Sequence, residues 1–184
     1  MPFTPFHLGP GLACKAIGGR HFSFLVFGGT QVLMDIEPLL GLLGLIDSVH
    51  GLSHTLPGAL LIGLLATLSG KPISNAVLGW LRWRGPAVSW ASAASAAWLG
   101  SFSHIGLDAL MHADIQPLWP LSTANPWLHA LSWQALHGAC LLLGLLAGAL
   151  VLWQQRRHWR QPWASATHSP AADKAVTPKC DGHR

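Results

Sequence analysis

The sequence predicts an all-α, polytopic membrane protein: about four transmembrane helices in a compact bundle, followed by a polar, disordered tail. Three observations predict it. Of the 184 residues, 51% are hydrophobic and only 10% are charged, against about 25% charged in an average soluble domain. Four apolar segments approach the roughly 20 residues that a helix needs to cross a bilayer. Lys and Arg are confined to alternate connecting segments, the pattern that orients helical membrane proteins.

The elements follow in order. The first span is expected over 22–46, interrupted by Asp35, Glu37 and Pro38. Pro38 removes a helix hydrogen bond and is expected to kink or end the helix there. The second span, over 54–68, is short. The third runs over 88–111, where Ala91, Ala93, Ala94, Ala96 and Ala97 suit close helix packing. The fourth runs over 131–153. Residues 1–153 thus form a membrane-embedded helical domain, and 154–184, with Pro162, Pro170 and Pro178, a cytoplasmic tail. No cleavable signal peptide is expected, because the start lacks a charged n-region and a continuous apolar stretch. Leu12-Ala13-Cys14 resembles a lipoprotein cleavage site, but Gly9, Pro10 and Gly11 break the apolar run before it. The first span is therefore expected to act as an uncleaved anchor. Cys14, Cys140 and Cys180 form no CxxC pair and no disulfide framework.

Lys15 and Arg20 precede the first span, Lys71, Arg82 and Arg84 separate the second from the third, and Arg156, Arg157 and Arg160 follow the fourth. The segments 47–53 and 113–130 hold no Lys or Arg. Four spans with both termini cytoplasmic place every one of these basic residues on one side of a bacterial-type inner membrane. Trp80, Trp83 and Trp90 on the inner side, and Trp119, Trp127 and Trp133 on the outer, fit interfacial belts. The net charge of +4 forms no exposed basic stripe of the kind nucleic-acid readers carry, so the expected partner is the lipid bilayer and not nucleic acid. The oligomeric state is left open.

The same topology gathers acidic residues and histidines at the outer face. Ser103-His104-Ile105-Gly106-Leu107-Asp108-Ala109-Leu110-Met111-His112 sets His104, Asp108 and His112 at i, i+4 and i+8, along one helix face. Ionisable groups are costly in a bilayer, about 2.5–3.5 kcal/mol each on insertion scales, and a bound cation is the simplest shared counter-charge. His50-Gly51-Leu52-Ser53-His54 is a second i, i+4 pair if a helix begins before His50, with Gly51 where HExxH requires its glutamate. Asp35 and Glu37 would point about 200° apart on an unbroken helix, so a kink at Pro38 is needed to aim both at one site. His129 and His137 lie near the outer start of the fourth span, whereas His21, His158, His168 and His183 read as solvated surface groups.

Asp35, His50, His54, His104, Asp108 and His112 are thus the candidate metal ligands. Mixed imidazole and carboxylate donors suit Zn²⁺ first, and also Mn²⁺ or Fe²⁺. Their number exceeds one tetrahedral site, so some orient other ligands or two metals share carboxylates. A spare carboxylate, Glu37 or Asp114, is the candidate general base. Ser103 is a poor nucleophile for His104, since adjacent helical side chains diverge by about 100°.

These residues resemble a known group, the membrane-bound metal-dependent hydrolases, also described as LexA-binding inner-membrane-associated hydrolases. The resemblance rests on Thr4-Pro5-Phe6-His7, Met34-Asp35-Ile36-Glu37-Pro38, His50-Gly51-Leu52-Ser53-His54-Thr55, and Ser103-His104 through Asp108, with Pro117 and Pro120 beyond. It covers roughly residues 1–125 and implies metal-dependent hydrolysis. It also implies His7 as a ligand, although a cytoplasmic N-terminus would put His7 on the far side unless residues 1–20 form a re-entrant segment. The chain departs from the pattern at Glu37 (Asp there), Pro38 (His) and Gly51 (Arg). His112 is the candidate replacement for the missing histidine.

The function expected is a membrane-embedded metal-dependent hydrolase acting near the outer face on a lipid-linked ester or phosphoester. Two other readings compete. A metal-ion or proton transporter would carry ionisable residues at several depths, including the inner half of the spans. A structural membrane protein would use these polar groups only to hold its helices together and would bind no metal.

Overall fold

A computed structural model describes residues 4–159, which form five α-helices and two short 3-10 turns with no strand. The helices are α1 (Thr4–Gly18), α2 (Phe24–Leu42), α3 (Leu56–Trp80), α4 (Trp90–Ala109) and α5 (Trp133–Trp159); the turns are Gly19–His21 and Leu52–His54. The chain divides into two compact units, Met1–Val151 and Leu152–Arg184. Of the tail expected over 154–184, residues 154–159 continue α5 and the remainder lies outside the described residues.

Local chemistry explains the helix starts. Ser23 caps α2 by accepting from the Val26 N–H at 3.3 Å, Thr55 caps α3 from Gly58 at 3.2 Å, and Ser89 caps α4 from Ser92 at 3.1 Å. Each such bond satisfies a backbone donor that the helix itself leaves free, for about 1 kcal/mol. Pro57 sits in the first turn of α3, where its missing N–H costs nothing. Pro38 does not end α2, which continues through it to Leu42.

Among the described residues, α2, α3 and α5 are long and apolar enough to cross a membrane. Their outer faces carry large exposed apolar side chains, such as Leu61, Leu65 and Leu68 on α3 and Leu142, Leu145 and Leu146 on α5. The four expected spans therefore resolve differently. The third matches α4 in position, but α4 is rich in Ala and Ser and does not meet the criterion of apolarity. Ala93, Ala96, Ala97, Gly100, Ser101 and His104 on α4 are buried, so this helix is surrounded by its neighbours and has little need of lipid-facing bulk. Small residues let those neighbours come close: a Cβ at Gly63 of α3 would lie 3.0 Å from the Ser101 hydroxyl, and one at Gly100 only 3.1 Å from Thr30 of α2.

The N-terminal residues form a further helix, α1, ahead of the four expected spans. α1 lies beside α2 and α5, its Gly9 directly on the Cys140 carbonyl and its Phe6 edge-on to His137 at 4.3 Å. Lys15 caps the turn into α2 by donating to the carbonyls of Gly19 at 2.8 Å and Phe22 at 3.0 Å. Lys71 lies 4.6 Å over the Trp90 ring at the start of α4. An apolar core of Phe22, Val26, Phe27, Ala66, Ala93, Ala96 and Ala97 fills this basic end of the bundle. A second core, Met34, Ala59, Ile105, Ala109 and Ile115, packs beside the histidines at the other end.

Candidate metal centre

Four segments meet around Asp108. α1 brings His7, α2 brings Gln31, Asp35 and Glu37, the turn before α3 brings His50 and His54, and α4 with the loop after it brings His104, Asp108, His112 and Asp114. The loops are held together by a backbone bond from Leu56 N–H to the Pro117 carbonyl at 3.0 Å. The imidazoles form a chain: His7 to His104 at 4.4 Å between ring centres, His104 to His54 at 5.2 Å, His54 to His50 at 4.8 Å and His50 to His112 at 4.5 Å.

Asp108 is fully buried and faces three of these rings. Its oxygens lie 3.1 Å from His7 Nε2, 3.3 Å from His54 Nε2 and 3.2 Å from His104 Nε2, and His104 Nε2 is also 3.3 Å from Asp35 Oδ1. These separations exceed the 2.7–2.9 Å of a charge-assisted N–H···O⁻ bond. The Nε2 atoms of His50, His54, His104 and His112 and both oxygens of Asp108 are buried without a hydrogen bond, although buried polar atoms nearly always have one. They match instead the spacing of ligands around one ion, since donors about 2.0–2.1 Å from a tetrahedral zinc stand roughly 3.3–3.4 Å apart.

The opposite ring nitrogens decide the tautomers. The Gln31 amide donates to the Gly100 carbonyl at 3.1 Å, which turns its oxygen toward His104 Nδ1 at 2.8 Å. An amide oxygen only accepts, so Nδ1 carries a proton and Nε2 is the nitrogen turned toward Asp35 and Asp108. The Asp114 carboxylate does the same for His50, 2.7 Å from its Nδ1. Ser53 Oγ lies 2.8 Å from Nδ1 of His54. In their neutral form these rings would aim lone pairs at carboxylates, a repulsion that a cation between them would relieve, so the donor set fits a divalent metal. Two groups of donor atoms lie within 4.8 Å of one another: Asp35, His54, His104 and Asp108, and then His50, Asp108 and His112.

Outside the helices, burial holds the imidazoles of His54 and His112 below their ordinary pKa despite the charge of Asp108. Burial alone would raise the Asp114 carboxyl, but its bond to His50 holds it below the usual carboxylate value.

Several sequence expectations change. His50 and His54 do not share a helix, because α3 begins only at Leu56; a bend and the short turn place them side by side. Asp35 reaches the cluster but Glu37 turns away, accepting the Leu52 N–H at 3.1 Å and the Ser53 N–H at 2.7 Å. Both Glu37 oxygens are thus engaged, whereas Asp114 bonds His50 through one oxygen only. Glu37 holds the histidine-bearing turn, and Asp114 orients His50. A Cβ at Gly51 would run into the Glu37 carboxylate, which accounts for glycine where the resembled pattern has arginine. His7 belongs to neither donor group and stands instead as a partner of Asp108. Ser103 bonds to the Gly100 carbonyl at 3.2 Å and not to His104. His137 is tied to the Trp133 carbonyl at 2.8 Å.

Two contributors were not anticipated. Gln31 is one, and its signal was present, as an amide inside an apolar span needs a partner. The other is Asn125, which donates to the carbonyls of Ala109 at 2.7 Å and His112 at 3.2 Å and so holds the backbone that presents His112.

The family model that matches this sequence is that of the YdjM inner membrane protein, over residues 21–169. The chain belongs to the YdjM inner membrane protein family. The YdjM match takes in Gln31, Asp35, His50, His54, His104, Asp108, His112 and Asp114, and leaves out His7 and the whole of α1. No curated protein and no solved structure matches the chain.

Proposed function

We propose that this inner-membrane protein is a metal-dependent hydrolase whose substrate is a lipid-linked ester or phosphoester. The observation that carries the reading is the convergence of buried, unbonded imidazole Nε2 atoms on Asp108, with the tautomers of His104 and His50 set by Gln31 and Asp114. Asp35, His54, His104 and Asp108 would hold the ion, for which Zn²⁺ suits the donors best and Mn²⁺ or Fe²⁺ are alternatives. Such an ion supplies Lewis acidity, lowering the pKa of bound water toward about 7 and polarising the ester or phosphoryl group.

The chain's own groups then have distinct roles. Gln31 and Ser53 hold rings in orientation, Glu37 fixes the turn that carries His54, and His7 holds Asp108. Asp114 has a side chain 56% exposed and bonds His50 through one oxygen, leaving the other to accept a proton from attacking water. We carry over the hydrolase part of the family resemblance and not its LexA-binding part, because the residues that carry the resemblance are these donors.

Two features favour a lipid substrate. An apolar cavity of about 370 Å³ lies between α1 and α5, lined by Phe6, Leu8, Leu12, Cys140 and Leu145 among others. Phe6 and Cys140 also line a small recess that includes His7, so apolar surface runs to the edge of the centre. The positive-inside rule places Lys15, Arg20 and Lys71 at the cytoplasmic face and the centre toward the outer one. The transporter reading is disfavoured by the apolar core of Phe22, Phe27, Ala93 and Ala97 between the centre and the basic end.

The test is hydrolysis of phosphoester and ester lipids in detergent micelles by purified protein, wild type against His104→Ala. Metal-dependent turnover that the variant lacks is expected. Equal turnover by the variant would overturn the reading, and metal flux into proteoliposomes without turnover would favour transport.

A further inference from the structure

We propose that the centre holds two cations bridged by Asp108, the second bound by His50 and His112. This rests on the reading of the first donor group as a metal site. The two groups of donors share one residue, Asp108, whose two oxygens are both buried without a hydrogen bond, Oδ1 standing 3.1 Å from His7 Nε2. A carboxylate can place one oxygen on each of two ions, the arrangement of sites whose metals stand about 3.5–4 Å apart.

His50 and His112 each leave one ring nitrogen, Nε2, buried and without a hydrogen bond. The His50 side chain is only 3% exposed, and its ring is 4.5 Å from that of His112. Asp114 accepts a hydrogen bond from His50 Nδ1 at 2.7 Å, the carboxylate–histidine pairing that metal sites use to orient a ligand. Asn125 fixes the backbone of His112. With two histidines and one bridging oxygen, the second position has fewer protein donors than the first. It lies on the side of Asp114, whose side chain is exposed.

Metal content of the detergent-purified full-length protein, loaded with Zn²⁺ and measured by elemental mass spectrometry, tests this. The expectation is two ions per chain in the wild type and one in His112→Ala. Asp114→Asn, on an exposed side chain, should fold and weaken the second ion by about 10–100-fold while leaving the first. Mn²⁺-loaded wild type should give an exchange-coupled electron paramagnetic resonance spectrum, and His112→Ala an uncoupled one. One ion in the wild type, retained in both variants with an uncoupled spectrum, would overturn the second site and leave the first standing. No ion in folded wild type would overturn both.

Discussion

Gln31 and His104 are joined by a hydrogen bond of 2.8 Å from the histidine Nδ1 to the amide oxygen, and the other end of that amide is held by the Gly100 carbonyl at 3.1 Å. Helix α2 therefore holds the orientation of a ring on α4. The close approach depends on Gly100, where a Cβ would lie 3.3 Å from the Gln31 amide nitrogen.

Removing this acceptor should weaken metal binding without removing a ligand. Gln31→Leu is expected to lower metal affinity by about 10–100-fold, the usual effect of losing a group that orients a ligating histidine. Gln31→Glu, which retains an acceptor, should keep more of it. Competition titration with a chromophoric chelator measures both. Unchanged affinity in Gln31→Leu would mean that His104 is oriented by packing alone.

Glu37 separates a positioning role from a proton-transfer role. In Glu37→Gln only one acceptor oxygen remains for the N–H groups of Leu52 and Ser53, and an unsatisfied donor costs about 1–3 kcal/mol. The expected result is a lower unfolding midpoint together with reduced metal retention. If Glu37 were instead the general base, turnover would fall while midpoint and metal content stayed at wild-type values.

Gly9 is where α1 meets α5. Its Cβ position is occupied by the Cys140 carbonyl, so Gly9→Val must push the helices apart, at about 1–3 kcal/mol for overpacking. His7, two residues earlier, would move away from Asp108. Thermal unfolding in detergent should show the loss of stability, and an unchanged midpoint would mean that α1 is not held as described.

Metal removal should destabilise the bundle, because it leaves lone pairs and carboxylates facing one another. A ligand at 100 times its dissociation constant stabilises by about 2.7 kcal/mol. Dialysis against a strong chelator is expected to lower the unfolding midpoint, and adding Zn²⁺ back should restore it. A midpoint indifferent to both treatments would favour a purely structural role for the histidines.

Much of this was legible in the sequence because it depends on composition and on local spacing. The low charge content gave the helical membrane class. His104 and Asp108, one helical turn apart on α4, were bound to share a face, and both are fully buried. Asp35 and His54 were identified by the cost of ionisable groups in an apolar setting. The expected third span is α4, less apolar than its neighbours α2 and α3 because a helix enclosed by other helices can be built from Ala and Ser.

The remainder belongs to tertiary structure. Sequence alone determined which residues could ligate and that they crowd toward one end of the bundle. It could not determine which ring nitrogen faces the centre, that Gln31 orients His104 across 73 positions of chain, that His50 groups with His112 and Asp108, or that α1 brings His7 to His104 across 97 positions. Periodicity relates side chains within one helix. Ligand geometry is set between helices, by the small residues that let backbones approach and by the loop contacts that hold their ends.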